Sequence, residues 1–298
     1  MKGTWKTTNA TTTSMSMDHR IGDPPWTRED LVARLEDFAT LYERRPVRNN
    51  QGGMSSVHMF LFWFVLRYLN PRVVIESGVW RGLGTWFIEQ ACPGADIWCI
   101  DPNLEALSYR SSRARYLTED ISRHDWSACP KDFSVVFFDD HVNALERMRL
   151  CVDLGFRHLM FEDNYPAGVG DCYSLKQALA CAGHQPARGP MVRLRRLLGR
   201  INDEAIPANS VDAAYIREHS EVLTEMPPVF KRQLTRWGTP WDERLATPEP
   251  LLSAVESPWQ QIYFDDAGGY TWLCYVRLKS RGLSCRPALA ELPSAESR

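Results

Sequence analysis

Three groups of residues in this chain have the types and spacing to do chemistry. The first lies in the stretch 73–85, VVIESGVWRGLGT, where an apolar run ends at Glu76 and two glycines, Gly78 and Gly82, bracket a short turn. A buried strand that runs into a glycine turn and then a helix is how α/β proteins seat a nucleotide. The glycines let backbone close on the ligand, and the helix start offers free N–H groups. The spacing is Glu-x-Gly-x-x-x-Gly, not the Gly-x-Gly-x-x-Gly of dinucleotide folds. A carboxylate at the strand end repels a pyrophosphate but suits a ligand that carries an amino group and a sulfonium, which points to S-adenosylmethionine (SAM). Trp80 and Thr85 belong to the same turn and helix start and are counted with that cofactor site.

The second group follows the next two strands. Asp101 ends the strand 96–100, about twenty residues past the glycine turn, where an acid is placed to accept both ribose hydroxyls. The plainer alternative is a cap before Pro102. Asp120 follows a short strand at 115–117, a place from which a polar group can meet the adenine. The third group is a pair of acid clusters, Asp139-Asp140-His141 and Glu162-Asp163-Asn164, each ending an apolar strand. Carboxylates and an amide oxygen form a hard-oxygen set suited to Mg²⁺ or a similar divalent ion. Such an ion lowers the pKa of a substrate hydroxyl and orients the oxyanion. Asp140, Glu162, Asp163 and Asn164 are the expected ligands, with Asp139 left to the cofactor or the strand end. The alternative is that Asp140 caps a helix and Glu162-Asp163 opens a polar loop.

The elements that must position these groups alternate regularly. Thr27 and Asp30 predict a capped helix through residue 42 with Leu31, Leu35, Phe38 and Leu41 inward. Residues 55–69 are apolar on nearly every face and predict a buried helix; His58 there reads as a core histidine rather than a ligand. Strands at 73–76, 96–100, 115–117, 133–138 and 158–161 alternate with helices at 86–91, 143–154 and 174–182, with Gly155 ending the second. That alternation implies a doubly wound, mostly parallel α/β sheet of Rossmann-like type with ligands at the carboxyl strand ends. Residues 260–264 and 270–278 flank Asp265–Gly269 and predict a closing antiparallel hairpin. Between them, 184–256 breaks the rhythm and reads as an inserted cap, with a basic amphipathic piece at 191–200 and a helix at 211–225. The expected organisation is a loose tail at 1–25, N-terminal helices at 26–70, a cofactor domain at 71–183 and 257–280, the cap, and a tail at 281–298.

Bulk properties exclude several function classes. The chain has 298 residues, 44% hydrophobic and 24% charged, with a net charge of −2. No global field favours nucleic acid or an anionic membrane. The longest apolar run, 59–66, is too short to span a bilayer. The 8 cysteines show no metal-type spacing, and a reducing, cytoplasmic setting is expected. The partner expected is a small-molecule acceptor, and a homo-oligomer remains compatible.

Together these residues resemble the class I SAM-dependent methyltransferases, and among them the divalent-metal-dependent O-methyltransferases of the catechol and the cephalosporin-hydroxylase or macrocin types. Glu76, Gly78 and Gly82 resemble the family's SAM motif and Asp101 its ribose acid. Asp140-His141 with Asp163-Asn164 resembles the catechol enzymes' metal pair, and Glu162-Asp163 the acid pair of the antibiotic group. The resemblance implies SAM as cofactor, Mg²⁺ assistance and methyl transfer to a hydroxyl of a small or sugar-like acceptor. The catechol enzymes carry a lysine as general base three residues past the first metal aspartate. Asn143 stands there and cannot serve, leaving His141 or His184 as substitutes. Trp80, Trp237 and Trp241 are candidates for an acceptor wall or for plain packing. A non-catalytic SAM-fold module and another Rossmann-like enzyme using NAD or a nucleotide sugar are the competing readings.

Overall fold

The computed structural model describes residues 19–185, 205–245 and 248–280. Its centre is a seven-stranded sheet in the order β3-β2-β1-β4-β5-β7-β6. The five parallel strands are β1 (Val73–Ser77), β2 (Asp96–Ile100), β3 (Ala114–Leu117), β4 (Ser134–Phe138) and β5 (His158–Phe161). Every residue of β1 and β4 is buried, as expected of apolar runs covered on both faces. Their registers align Ser77 with Phe138 and with Ile100, so the carboxyl ends of β1, β2 and β4 share one rim.

Helices cover both faces. On one side lie α1 (Arg28–Val32), α2 (Leu35–Glu43), α3 (Ser56–Leu69) and α4 (Leu83–Ala91). Thr27 and Asp30 form the expected capping box, and Leu31, Leu35 and Phe38 face inward, but the helix breaks at Ala33-Arg34 into two pieces. α3 buries ten of its side chains in a row from Ser56 to Leu66 except His58. The other face carries α5 (Ala144–Leu154), α6 (Leu175–Leu179) and α7 (Val211–His219). Gly155, at φ 82°, closes α5 in the left-handed conformation, the role its position predicts.

The antiparallel end exists but is built differently from the expected hairpin. Residues 260–264 are not a strand: a capping box of Ser257 and Gln260 opens a 3-10 turn, Pro258–Gln260, which runs directly into α8 (Gln261–Asp266). The fully buried Tyr263 of α8 donates its hydroxyl hydrogen bond to Leu35 O at 2.7 Å. Burial against α2 outweighs the strand-like pattern. β7 (Cys274–Leu278) instead lies between β5 and β6 (Ser220–Glu225), antiparallel to both. The helix expected over 211–225 therefore ends at His219, and residues 220–225, expected in the cap, belong to the sheet. At the outer edge of β6, Ile21 exchanges two backbone hydrogen bonds with Leu223, 2.9 and 2.8 Å long. Residues 19–25 are thus attached to the sheet rather than loose. The basic piece at 191–200, residues 1–18 and the tail at 281–298 lie outside the described residues. Among the described residues no helix is long and apolar enough to cross a membrane, and the seven described cysteines are free.

Candidate active site

The turn after β1 is shaped by chain contacts as much as by any ligand. Gly78 has φ 93°, and a Cβ there would overlap the carbonyl of Asp139 at the end of β4. Gly82 has φ 83°, and its missing Cβ makes room for the Tyr109 carbonyl. Asp101 fastens the turn: its Oδ2 accepts the N–H groups of Val79 and Trp80 at 2.9 and 3.1 Å, and its Oδ1 that of Asn103 at 2.8 Å. Asp101 is not a helix cap, since Asn103 caps the short helical turn Leu104–Ala106 that follows, and the residue also lines a cavity of about 430 Å³ at the shared rim. Gly78, Trp80, Asp120, Asp139, Asp140 and His141 line it too. Trp80 stands at φ 49° with its indole exposed, donating to Gln51 O at 3.2 Å. The volume is in the range of small-molecule sites.

Glu76, Gly82 and Thr85 do not line that cavity. Glu76 is 1% exposed and sits behind the turn, where the Thr85 hydroxyl donates to its Oε2 at 2.5 Å. Burial pushes its carboxyl up to about 8, against the lowering effect of the Thr85 and Cys99 hydrogen bonds. A Cβ at residue 84 would overlap Glu76 Oε1, so Gly84, which the Glu-Gly-Gly spacing does not mark, is the glycine that admits the buried acid. The Gly-x-Gly pair at 82 and 84 is the signal that could have found it.

Asp140 is a second correction. Its Oδ2 accepts the Ser77 hydroxyl at 2.7 Å and lies 2.9 Å from Arg147 Nη2. The same guanidinium nitrogen lies 2.7 Å from Asp120 Oδ2. Burial acts to raise the Asp120 carboxyl, but Arg147 and the Ser122 N–H hold it down at about 2. Asp120 and Asp140 thus share an arginine one turn into α5, whose reach is invisible in a linear reading. Asn143 caps α5, accepting from Leu145 and Glu146 N–H at 3.0 and 3.3 Å, so the place of the missing lysine has a structural occupant.

The residues that do converge are Asp139, His141 and Asp163, whose potential ligand atoms all lie within 4.8 Å of one another. Asp139, assigned to the cofactor side above, takes the place expected of Asp140. His141 is held at φ 53° with Nδ1 3.2 Å from Asp163 Oδ2 and 3.3 Å from Asp171 Oδ1. The Asp171 hydrogen bond, opposed by desolvation and helped by the Asp163 charge, pushes its imidazole up to about 11. Tyr165 donates its hydroxyl to Asp163 Oδ1 at 2.6 Å. Burial first, then the Glu162 charge, raises both Asp139 and Asp163 well above the usual carboxylate range. That is the signature of crowded anions relieved by protons or by a cation. Two carboxylates and an imidazole suit a divalent ion in softness and charge, and the donor set fits one.

Glu162 and Asn164 are drawn elsewhere. Glu162 contacts His58 Nδ1 and is held down at about 2: burial opposes this, and the His58 charge and hydrogen bond outweigh it. Asn164 is buried, its Oδ1 accepting the Lys176 N–H at 2.9 Å. His184 is buried near the Tyr173 ring, its backbone paired with Ile206, and it lines no part of the cavity. Trp237 stacks on Tyr270 at 6.3 Å and Trp241 packs on the same ring at 4.5 Å.

No family model matches the chain, and no curated protein matches it. Solved structures do. An O-methyltransferase from Bacillus cereus in complex with SAH matches at 12% identity over 86% of this chain and 93% of that one, with a TM-score of 0.41. A putative O-methyltransferase from Klebsiella pneumoniae matches at 12% identity over 87% and 91%, also at 0.41. The apo structure of CmcI matches at 20% identity, with a TM-score of 0.30. That match covers 35% of this chain and 51% of CmcI, so the chain spans about half of that protein's length. The sheet decides the fold. Its order, mostly parallel with an antiparallel seventh strand set between the fifth and sixth, is a Rossmann-like α/β arrangement.

Proposed function

We propose that the protein is a SAM-dependent O-methyltransferase that works with a divalent cation on a hydroxyl of a small-molecule acceptor. The observation that carries this reading is the shared rim: the turn fastened by Asp101 borders the same cavity as Asp139 and His141, two of the three members of the acid cluster. Asp139, His141 and Asp163 would hold the cation. Trp80 and the turn amides would shape the cofactor seat, and Asp101 would keep that turn in place while offering its remaining lone pairs. When bound, SAM supplies an electrophilic methyl and the cation makes an acceptor hydroxyl easier to deprotonate. The chain's part is to hold the two reactants in line and to receive the hydroxyl proton at the acid cluster.

Calorimetry with SAM and SAH, followed by methyl transfer to a panel of hydroxylated acceptors with Mg²⁺ and with a chelator, tests the reading. Binding of neither SAM nor SAH ends it. Turnover indifferent to chelation removes the cation from it. The non-catalytic module keeps one supporting observation, the use of Asn143 as a helix cap where a base would stand. SAM binding without turnover across the panel would favour that module.

A further inference from the structure

Asp163 carries a tyrosine hydroxyl on one of its carboxylate oxygens, and the loop that brings that tyrosine is firmly held. Residues 162–174 connect β5 to α6. The Tyr165 N–H donates to Asp163 O at 2.9 Å, and the Tyr165 carbonyl accepts the Ser174 hydroxyl at 2.5 Å. Pro166 follows, and a residue before proline is kept out of the helical region. Gln177, 1% exposed, donates through Nε2 to Pro166 O and Val169 O at 3.2 and 2.8 Å. On the other side of Asp163, the Asn164 N–H donates to Trp272 O at 2.8 Å, which ties the loop to the segment before β7.

The ring is fixed as closely as the backbone. Gly170, at φ 89°, lies directly against it, and a Cβ there would overlap the ring atoms Cγ and Cδ2. Trp272, itself stacked on Tyr270 at 5.6 Å, meets the Tyr165 ring edge-on at 5.0 Å. A side chain clamped in this way delivers its hydroxyl to one place, Asp163 Oδ1, at 2.6 Å. That is the length of a charge-assisted bond from a hydroxyl to a carboxylate. The other oxygen, Oδ2, then lies 3.2 Å from His141 Nδ1. The two oxygens of one carboxylate have separate tasks: one is anchored to the loop, and the other is turned into the cluster.

We propose that Tyr165 is a positioning residue that sets which divalent cation the cluster prefers. By fixing the rotation of the Asp163 carboxylate it presents Oδ2 alone, so Asp163 offers one ligand atom rather than two. Mg²⁺ is small, demands octahedral geometry and is held through few carboxylate oxygens with several waters retained. Ca²⁺ is larger, takes more oxygens and readily accepts both oxygens of one carboxylate. A carboxylate that cannot turn favours the smaller ion. The proposal rests on the cation site proposed above and adds to it a selection between ions of equal charge. Tyr165 does not line the cofactor cavity, so loss of its hydroxyl acts through Asp163 and leaves the cofactor seat alone.

Tyr165→Phe keeps the ring and its packing and removes only the hydroxyl. Mn²⁺ is titrated into the full chain saturated with SAH and followed by the EPR signal of the free ion; Mg²⁺ and Ca²⁺ are then each used to displace it. The ratio of Mg²⁺ to Ca²⁺ affinity is expected to fall about tenfold in Tyr165→Phe, the size usual for losing a group that orients a metal ligand. SAH affinity should match the wild type, which also shows that the variant is folded. An unchanged ratio overturns the proposal, whether both affinities hold or both fall together, because loss of general support would weaken the two ions alike. A wild-type chain that binds SAH but none of the three ions overturns the cation site and this proposal with it. Failure of SAH to bind counts against the methyltransferase reading instead, and the same ratio measured in the SAH-free chain still decides the role of Tyr165.

Discussion

The two halves of the rim are built on different principles. On the β1–β2 side the backbone does the shaping: a left-handed Gly78, a left-handed Gly82 and an aspartate that gathers the turn's amides. On the β4–β5 side unlike charges do it, with Asp140 on Arg147, Glu162 on His58, and Asp139, His141 and Asp163 left facing one another. The first half is steric and local. The second is electrostatic and collected from distant segments: His58 and Glu162 are 104 residues apart. Steric sites tolerate no added atom, whereas charge clusters answer to protons and ions.

The largest effect that would test this contrast is expected at a close backbone contact that joins the halves. Gly78→Ala puts a Cβ into the Asp139 carbonyl at a positive φ and should cost about 3 kcal/mol, read as a lowered Tm. It should weaken SAH and Mg²⁺ binding together. An alanine variant of wild-type stability would show that the turn is not sterically fixed. Next, Asp163→Asn should reduce Mg²⁺-supported activity about a hundredfold, since a ligand change exceeds the usual loss from a supporting residue. SAH affinity by calorimetry should be unchanged. A matching loss of SAH affinity would mean that the halves are not separable.

A pH difference curve sharpens the comparison from the buried acid behind the turn. Glu76 has its folded value raised to about 8 from an ordinary 4.5. The folded state therefore holds the extra proton between those values, and stability should fall as pH rises from about 4.5 to 8. Glu76→Gln, neutral throughout, should lack that slope when the two denaturant midpoints are subtracted. A flat difference would place the charge of Glu76 elsewhere. The smallest effect belongs to Thr85→Val, which removes one buried hydrogen bond to Glu76 and should cost about 1 kcal/mol. SAH affinity should stay constant, because Thr85 is outside the cavity; a loss would return it to the cofactor site.

The contrast also explains what could be read in advance. β1, its glycine turn and α4 form one continuous stretch, and the apolar runs of β4 and α3 announce full burial, so the parallel sheet and its rim were legible. Choosing between Asp139 and Asp140 was not, because adjacent residues at a strand end point to opposite sides and only Arg147 and Ser77 settle which is neutralised. Gln260–Phe264 misled for a related reason: a short apolar run fits either strand or helix, and the buried seat of Tyr263 against α2 decided it. The strand at 220–225 was hidden because its neighbour in the sheet lies far along the chain.

That last arrangement governs the order in which the molecule can be completed. β7 fills the place between β5 and β6, yet it is synthesised after both. Until it emerges, β5 presents an open edge and β6 has no sheet to join. The aromatic wall formed by Tyr270 and Trp272 immediately precedes it. A ribosome-bound chain can therefore finish the glycine turn early, while the acid-lined side waits for nearly the last piece of the fold.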